Sequence, residues 1–170
     1  MIATSNTIGI GCPEAEAAFL GCLLQQVHPF ITTGYLRQVE ERDFTDPRHR
    51  AVHAAMAQLV EGGLAVDPIT VLGQMRRSGL ERAMTADRDA GVFLADLMAA
   101  APSVGSAGHY LRIVLEHRVR VEVEATGVRL QQLAQAADVD TVREVLRADV
   151  AELARIVGRL AYRETAEREL

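Results

Sequence analysis

The stretch TVREVLRADVAELARIVGRL, residues 141–160, decides the fold class. Its apolar side chains recur at intervals of four, three, four and three residues, at Leu146, Val150, Leu153, Val157 and Leu160. This spacing is typical of a helix that packs lengthwise along another helix. We therefore predict a long C-terminal helix with these five side chains on one packing face.

The segment before it, residues 106–137, supplies the other helix. It contains no proline, and Gly127 is the glycine in its interior, so at 1.5 Å per residue it would form a helix of roughly 40 Å. The sequence DVDT then interrupts the helical pattern, and either Asp138 or Asp140 can cap the helix that follows. The sequence thus predicts an antiparallel helical hairpin over residues 106–165.

Valines on the first hairpin helix predict self-association. They spread around more of that helix than one partner helix can cover: Val119, Val121, Val123 and Val128. Apolar surface that a hairpin leaves uncovered marks a contact with another molecule. We therefore predict a homodimer through the hairpin, with a higher ring as the alternative, and with the five side chains of the 146–160 series as the oligomer interface. Charged side chains on the exposed faces are candidates for contact with a different protein: Arg129, Arg143, Glu144 and Arg147.

Residues 12–105 are predicted to form a globular subdomain of short helices. A proline follows Asp46 and another follows Asp67, which predicts two helices that each begin with an aspartate cap and a proline in the first turn. Glu14 and Glu16 stand near the start of the first helix, where acidic side chains commonly interact with the helix dipole. No alternating strand pattern of useful length occurs. The predicted fold class is all-α, a compact bundle of short helices followed by the long hairpin.

Two histidines four residues apart, His49 and His53, would lie on one face of a helix, as zinc ligands do. The zinc-enzyme motif HExxH needs a glutamate after the first histidine, and Arg50 stands there instead. Asp46, the remaining candidate ligand, is already expected to cap the helix. We therefore interpret His49 as a partly buried, hydrogen-bonded residue and His53 as a packing residue, with no metal and no cofactor.

The composition excludes several classes of protein. All 18 basic residues are arginine, and a chain without lysine has neither a P-loop nor a Schiff-base lysine. A net charge of −5 and a pI near 5.5 argue against strong binding to nucleic acid. No apolar run of 18 residues and no basic leader occurs, so we expect a soluble cytoplasmic protein that makes no membrane contact. Cys12 and Cys22 are expected to be free thiols, and residues 1–11 a flexible arm.

Three segments, taken in order, resemble the N-terminal domain of replicative DnaB-type hexameric helicases. They are PEAEAAFLGCLL at 13–24, DFTDPRHRAVHAAMAQLVEGGLAVDPITVLGQMRRSG at 43–79, and FLADLMAAAPSVGSAGHYLRIVLEHRVR at 93–120. The resemblance extends from about Pro13 to Arg120, and the family places a helical hairpin where the spacing predicts one. It implies short helices around a small core, followed by a hairpin.

The resemblance also assigns structural roles. His49 and Arg50 fall on the family's His-Arg pair at the start of the third helix, and His53 falls where the family usually has an aromatic core residue such as Phe. We group Asp67, the expected cap, with these three as structural residues. Because histidine titrates near neutral pH, the imidazole at position 53 would loosen the core or create a pH-sensitive contact.

In these helicases the N-terminal domain pairs through its hairpins, forms a collar around the ring, and offers a surface to primase and loading factors. Strand separation belongs to a separate ATP-driven motor domain. The resemblance therefore implies a non-catalytic module for protein interaction and oligomerisation in DNA replication, with primase or a helicase-loader-like protein as its partner. Whether the chain is a helicase fragment or a free-standing relative stays open.

Two other hypotheses stay open at this point. In the first, MRRSG at residues 75–79 is the exposed basic end of a helix-turn-helix in a DNA-binding regulator, which the hairpin dimerises; binding of duplex DNA with a steep salt dependence would favour it. In the second, His49 and His53 serve a metal-dependent hydrolase, which elemental analysis would reveal as a stoichiometric zinc ion.

Overall fold

The computed structural model describes residues 12–84, 89–136 and 138–168. Over these ranges the chain forms seven α-helices and no β-strand, which confirms the predicted all-α fold class. The predicted arm at residues 1–11 lies outside the described residues. The helices are α1 Cys12–Leu24, α2 Pro29–Leu36, α3 Pro47–Glu61, α4 Pro68–Arg77, α5 Ala90–Ala100, α6 Ala107–Ala136 and α7 Val139–Arg168. Short 3-10 turns cover Glu41–Asp43, Leu80–Ala83 and Val104–Ser106.

The starts of α3 and α4 follow the capping chemistry that the sequence predicts. Asp46 accepts a hydrogen bond from the backbone N–H of Arg48 at 2.8 Å and so caps α3. Asp67 caps α4 by accepting from the N–H groups of Ile69 and Thr70, and the Thr70 hydroxyl accepts in return from the N–H of Asp67 at 3.0 Å. Each helix has a proline in its first turn, where a missing N–H is tolerated.

The start of α7 resolves the choice between two aspartates. A side-chain oxygen of Asp138 accepts from the N–H groups of Asp140 and Thr141, each at 3.0 Å. The Thr141 hydroxyl donates to the other oxygen of Asp138 at 2.8 Å. Asp138 is therefore the cap of α7, and Asp140 lies inside the helix.

The described residues form two compact units, one ending at Val114 and one beginning at Leu115, so that α6 contributes to both. In the first unit α1 is the central helix, because ten of its thirteen residues are buried. Its fully buried side chains include Phe19, Leu20 and Leu23. A helix that is apolar on every side must be surrounded by other elements, and here α3 and α5 cover it.

α1 and α5 touch through their backbones at Gly21. A Cβ atom at this position would lie 1.9 Å from the carbonyl oxygen of Leu97 and 3.0 Å from the Cβ of Ala101. Side chains on either side reinforce the contact, because the amide of Gln25 donates to the carbonyl of Met98 at 3.0 Å. Only a residue without a side chain fits between the two helices at this depth.

The second unit is the hairpin of α6 and α7. Within residues 139–160 of α7, whose side chains the structure describes, Asp149 and Ile156 are buried, with Glu152 half-buried between them. This buried series lies one residue before the predicted series Val150, Leu153 and Val157. One residue is a rotation of about 100° around a helix axis, so the predicted apolar face is turned aside from α6.

Candidate functional site: the hairpin face and the buried Glu16

The apolar residues predicted as an interface lie on the outside of the hairpin. Leu146, Val150 and Val157 are 43%, 57% and 48% exposed, and Leu153 and Leu160 are half-buried. The spacing of these residues puts all five on one side of α7. The seven-residue period indicates a packing face, and among the described residues α6 does not occupy it.

α6 adds apolar residues to the same side. In an antiparallel pair, helix geometry turns Val119, Val123 and Leu130 of α6 toward the side on which α7 presents its apolar series. Val123 is 53% exposed, and the other two are half-buried. We name the combined surface the hairpin face: Val119, Val123, Leu130, Leu146, Val150, Leu153, Val157 and Leu160. Val128, five residues after Val123, lies about 140° further around α6 and so belongs to the opposite side.

The inside of the hairpin is charged. The Arg129 guanidinium bridges two carboxylates, Asp149 of α7 at 2.8 Å and Glu122 of α6 at 3.0 Å. Arg118 donates to the other oxygen of Glu122 at 2.6 Å, and the hydroxyl of Thr126 accepts from Arg129 at 3.1 Å. Both carboxylate side chains are only 11% exposed. The hairpin therefore buries ion pairs as well as Ile156, and it leaves Val123, Leu146, Val150 and Val157 exposed.

The residues predicted as a partner surface divide into two groups. Arg129 is engaged by the hairpin's own carboxylates, and its side chain is 42% exposed. Arg143, Glu144 and Arg147 are exposed on α7, and the Arg143 guanidinium forms a surface ion pair with Asp140 at 2.8 Å. The three residues of α7 remain open to another molecule, whereas Arg129 first serves the contact between α6 and α7.

A buried carboxylate on α1 is the polar centre of the first unit. Glu16 is fully buried, and its Oε1 accepts from the backbone N–H and the hydroxyl of Thr45 at 2.7 and 2.6 Å. Its Oε2 accepts from Nδ1–H of His49 at 2.7 Å and from the N–H of Asp46 at 3.3 Å. The thiol of Cys12 donates to Oε1 at 3.3 Å. The side chain of Glu16 thus anchors the backbone segment that leads into α3.

This geometry corrects the interpretation of Glu16 as an ordinary first-turn acid beside its own helix dipole. Burial by itself would raise the pKa of Glu16, but hydrogen bonds from His49 and Thr45 outweigh it and lower that pKa below its ordinary value. Sequence reasoning missed the role of Glu16 because its partners lie about thirty residues away along the chain. The available signal was the expectation of a hydrogen-bonded His49, because such a residue needs a polar partner.

The two histidines of α3 face different surroundings. His49 is 4% exposed, bonded to Glu16, and stacked on Phe93 at 5.7 Å between ring centroids. Arg50 donates from Nε to the carbonyl of Phe44 at 2.7 Å. His53 is buried beside the ring of Phe44, with centroids 5.1 Å apart, and neither of its ring nitrogens has a hydrogen-bond partner. The side chains of both histidines therefore pack inside the first unit.

Other candidate sites find little geometric support. Within the described ranges no cluster of three histidine, cysteine or acidic side chains could hold a metal ion. In the basic sequence at 75–79, the guanidinium of Arg76 lies 3.9 Å from carboxylate oxygens of Glu81 and Asp89. Cys12 and Cys22 are free and buried, and burial raises the pKa of Cys22 to about 11. Arg76 thus has acidic neighbours. The Cys22 thiol is protonated at neutral pH.

In the part of the chain that the structure describes, no single helix is both long and apolar enough to cross a membrane. Only α5 and α6 taken together, sharply bent at the break between them, reach that length and apolarity. The central apolar side chains of α5, Phe93, Leu94 and Leu97, are buried inside the first unit.

Comparison with known proteins shows which family has this fold. Residues 12–116 match the family model described as DnaB-like helicase N terminal domain. The chain is similar to the replicative DNA helicase DnaB of Mycobacterium leprae (strain TN), with 28% identity over 82% of this chain. It is also similar to the DnaB of Leifsonia xyli subsp. xyli (strain CTCB07), with 30% identity over 73% of the chain, and to that of Rhodothermus marinus, with 27% over 91%.

The chain spans only 23%, 26% and 16% of the lengths of these relatives, in the order given. Among solved structures it is similar to the crystal structure of the N-terminal domain of DnaB helicase from Mycobacterium tuberculosis, with a TM-score of 0.70 and 26% identity. That likeness covers 82% of this chain and 95% of the other. The matched region is thus the N-terminal domain, which is not the catalytic helicase domain, and the chain belongs to the family of DnaB-like helicase N-terminal domains.

Proposed function

We propose that the chain is a non-catalytic oligomerisation and docking module of DNA replication in the cytoplasm. It pairs with a second copy through the hairpin face and offers the charged side chains of α7 to a primase or a helicase-loader-like protein. The observation that carries the proposal is the inverted arrangement of the hairpin, with ion pairs between its helices and exposed aliphatic side chains on one side.

Energetics favours a second copy as the cover of the hairpin face. Complete burial of a valine or leucine contributes about 1.5–3 kcal/mol relative to full exposure, so each side chain of the hairpin face that is about half exposed would add about 1 kcal/mol when an interface covers it. Eight aliphatic side chains, four of them exposed and four half-buried, share one side of the hairpin, and soluble monomers rarely leave large apolar patches open. Two copies related by a two-fold axis would cover both surfaces with the same set of residues.

Val150→Asp is expected to convert the dimer to a monomer while both units stay folded. Val150 is 57% exposed, so aspartate is tolerated in the monomer, whereas an interface would bury an unpaired charge at a cost of about 3 kcal/mol or more. That cost corresponds to more than a hundredfold weaker association. Sedimentation equilibrium over a range of concentrations measures the change, and circular dichroism checks the fold.

Val128→Asp is the matched control, because Val128 is 50% exposed on the opposite side of α6. The same substitution there is expected to leave the sedimentation behaviour unchanged. A wild-type protein that stays monomeric at high concentration would contradict the proposed pairing. Equal loss of association in the two variants would show that the two copies do not pair through the hairpin face.

A double charge reversal, Arg143→Glu with Arg147→Glu, tests the docking half of the proposal. Both side chains are exposed on α7, and charges at the rim of an interface mainly set the association rate and its salt dependence. We expect binding to the primase or helicase loader of the same organism to weaken about fivefold or more at low salt, with the dimer intact. Calorimetric titration measures this, and unchanged affinity for both proteins would exclude these arginines from the contact.

A further inference from the structure

His53 is a buried polar residue without a polar partner. It is 6% exposed, its ring lies against Phe44, and both Nδ1 and Nε2 lack hydrogen bonds. Buried imidazole nitrogens are normally hydrogen-bonded, because an unsatisfied polar atom in the interior costs free energy. The neutral ring is therefore held in place by packing alone.

The segment next to His53 is pinned by side chains from elsewhere in the unit. We name residues 40–46 the strap; it connects α2 to α3 and contains the 3-10 turn Glu41–Asp43. Glu16 holds its end at Thr45, and Arg50 holds the carbonyl of Phe44. Asp43 closes the turn internally, since its Oδ2 accepts from the N–H of Glu40 at 2.7 Å.

The two carboxylates that act on His53 lie in the strap. Asp43 and Glu41, both in the strap, are the carboxylates whose field reaches the ring. On α1, Glu16 is bonded to His49, and on α3 itself Arg50 is bonded to Phe44. α2, with the sequence PFITTGYL, carries no charged side chain. Burial lowers the pKa of His53, because desolvation of the charged ring outweighs the attraction of Asp43 and Glu41.

We propose that protonation of His53 opens the strap, so that this segment of the first unit responds to mild acid. The protonated ring takes one proton from solvent and then carries two N–H donors in an apolar site against Phe44. Of the carboxylates that act on the ring, that of Asp43 has the larger influence; it is 1% exposed, and its Oδ2 is engaged by the N–H of Glu40. A charged His53 competes for this oxygen, and the bond that closes the 3-10 turn is lost.

The direction of the pH effect follows from the difference in the pKa of His53 between the closed and the open strap. The pKa of His53 is lowered in the closed strap and ordinary, near 6.5, in the open one. The closed form therefore has its full advantage above pH 6.5 and loses that advantage as the pH falls toward the lowered value. Since one proton is taken up, the open population rises by at most about tenfold for each pH unit in this window.

Amide hydrogen exchange on the whole chain between pH 7.5 and 5.5, corrected for intrinsic exchange rates, tests the proposal. In the wild type we expect opening of the strap to increase by up to about fivefold between pH 6.5 and 5.5, with α5 unaffected. His53→Phe removes the titrating group and should make the strap insensitive to pH. His109→Phe is the control, because His109 is exposed in α6 and the new ring can keep the contact with Tyr110.

An increase that persists unchanged in His53→Phe would overturn the proposal, as would a wild-type strap whose opening does not change with pH. Should His53→Phe not fold, the imidazole resonances of the wild-type protein give the same decision. Strap opening that follows the titration of His53 supports the proposal, and opening that follows another group, or titration of His53 at its ordinary pKa with the strap closed, contradicts it.

Discussion

Gly21→Ala is expected to destabilise the first unit by about 3 kcal/mol or more and to lower its melting temperature by about 10 °C. The added Cβ would lie 1.9 Å from the carbonyl oxygen of Leu97, which is backbone and cannot rotate away. α1 and α5 would have to separate, and the buried side chains on both would lose their packing. Thermal unfolding followed by circular dichroism measures the loss.

Gly73→Ala supplies the matched control within the same unit. Gly73 lies inside α4, and a Cβ there would meet no atom within 4 Å. The substitution replaces a poor helix former by the best one, so we expect a gain of about 0.5–1 kcal/mol. Opposite signs for the same chemical change would isolate the steric contact at Gly21 from helix propensity.

A local probe strengthens the test of Gly21→Ala. Cys22, the next residue, is fully buried, and its thiol donates to the carbonyl of Ser103 at 3.2 Å. If α1 moves away from α5, this thiol should react with a disulfide reagent several times faster than in the wild type. An alanine variant with wild-type melting and wild-type thiol reactivity would show that the two helices do not meet at this glycine.

Local chemistry explains which parts of the fold were predictable from the sequence. The caps Asp46 and Asp67 were found because an N-cap and its partners lie within three residues of one another. The long helices α6 and α7 were found because proline is absent and the apolar period is regular. The 3-10 turn Glu41–Asp43 was not found, since such short turns leave no periodic pattern.

The orientation of α7 was harder to predict, for an electrostatic reason. The series that faces α6 includes Asp149 and Glu152, so on sequence alone the neighbouring series of valines and leucines is the stronger candidate for a packing face. What makes the charged series viable is Arg129, which neutralises Asp149 from the other helix. An ion pair across twenty residues has no sequence signature, whereas apolar spacing does. The predicted series stays a prediction as the oligomer interface.

Glu16→Gln, a conservative change, is expected to destabilise the first unit by about 2–4 kcal/mol. The carboxylate accepts from two atoms of Thr45, from Asp46 and from His49. An amide keeps only one acceptor oxygen and turns an NH₂ donor toward the remaining donors. Some of these groups would be left buried without a partner. Urea unfolding at pH 7 measures the difference in the free energy of unfolding.

Glu14→Gln provides the control, because Glu14 lies two residues earlier on the same helix and is exposed. It is expected to change stability by less than about 0.5 kcal/mol, the range of ordinary surface substitutions. Comparable losses in the two variants would mean that first-turn charge, and not the buried hydrogen bonds of Glu16, stabilises α1.

The loss of stability at acid pH, called here the acid limb, further distinguishes a role of first-turn charge from a role of the buried hydrogen bonds of Glu16. The pKa of Glu16 is lowered in the folded protein, so its contribution is complete above the ordinary carboxyl pKa near 4.5 and disappears as the pH falls through the lowered value. Wild type and Glu14→Gln should therefore lose stability together below pH 4.5, while Glu16→Gln, already without the carboxylate, should fall less steeply. Parallel acid limbs for all three proteins would show that Glu16 does not anchor the start of α3. If the limbs diverge as expected, the carboxylate that joins α1 to Thr45 and His49 is a main source of the stability of the first unit.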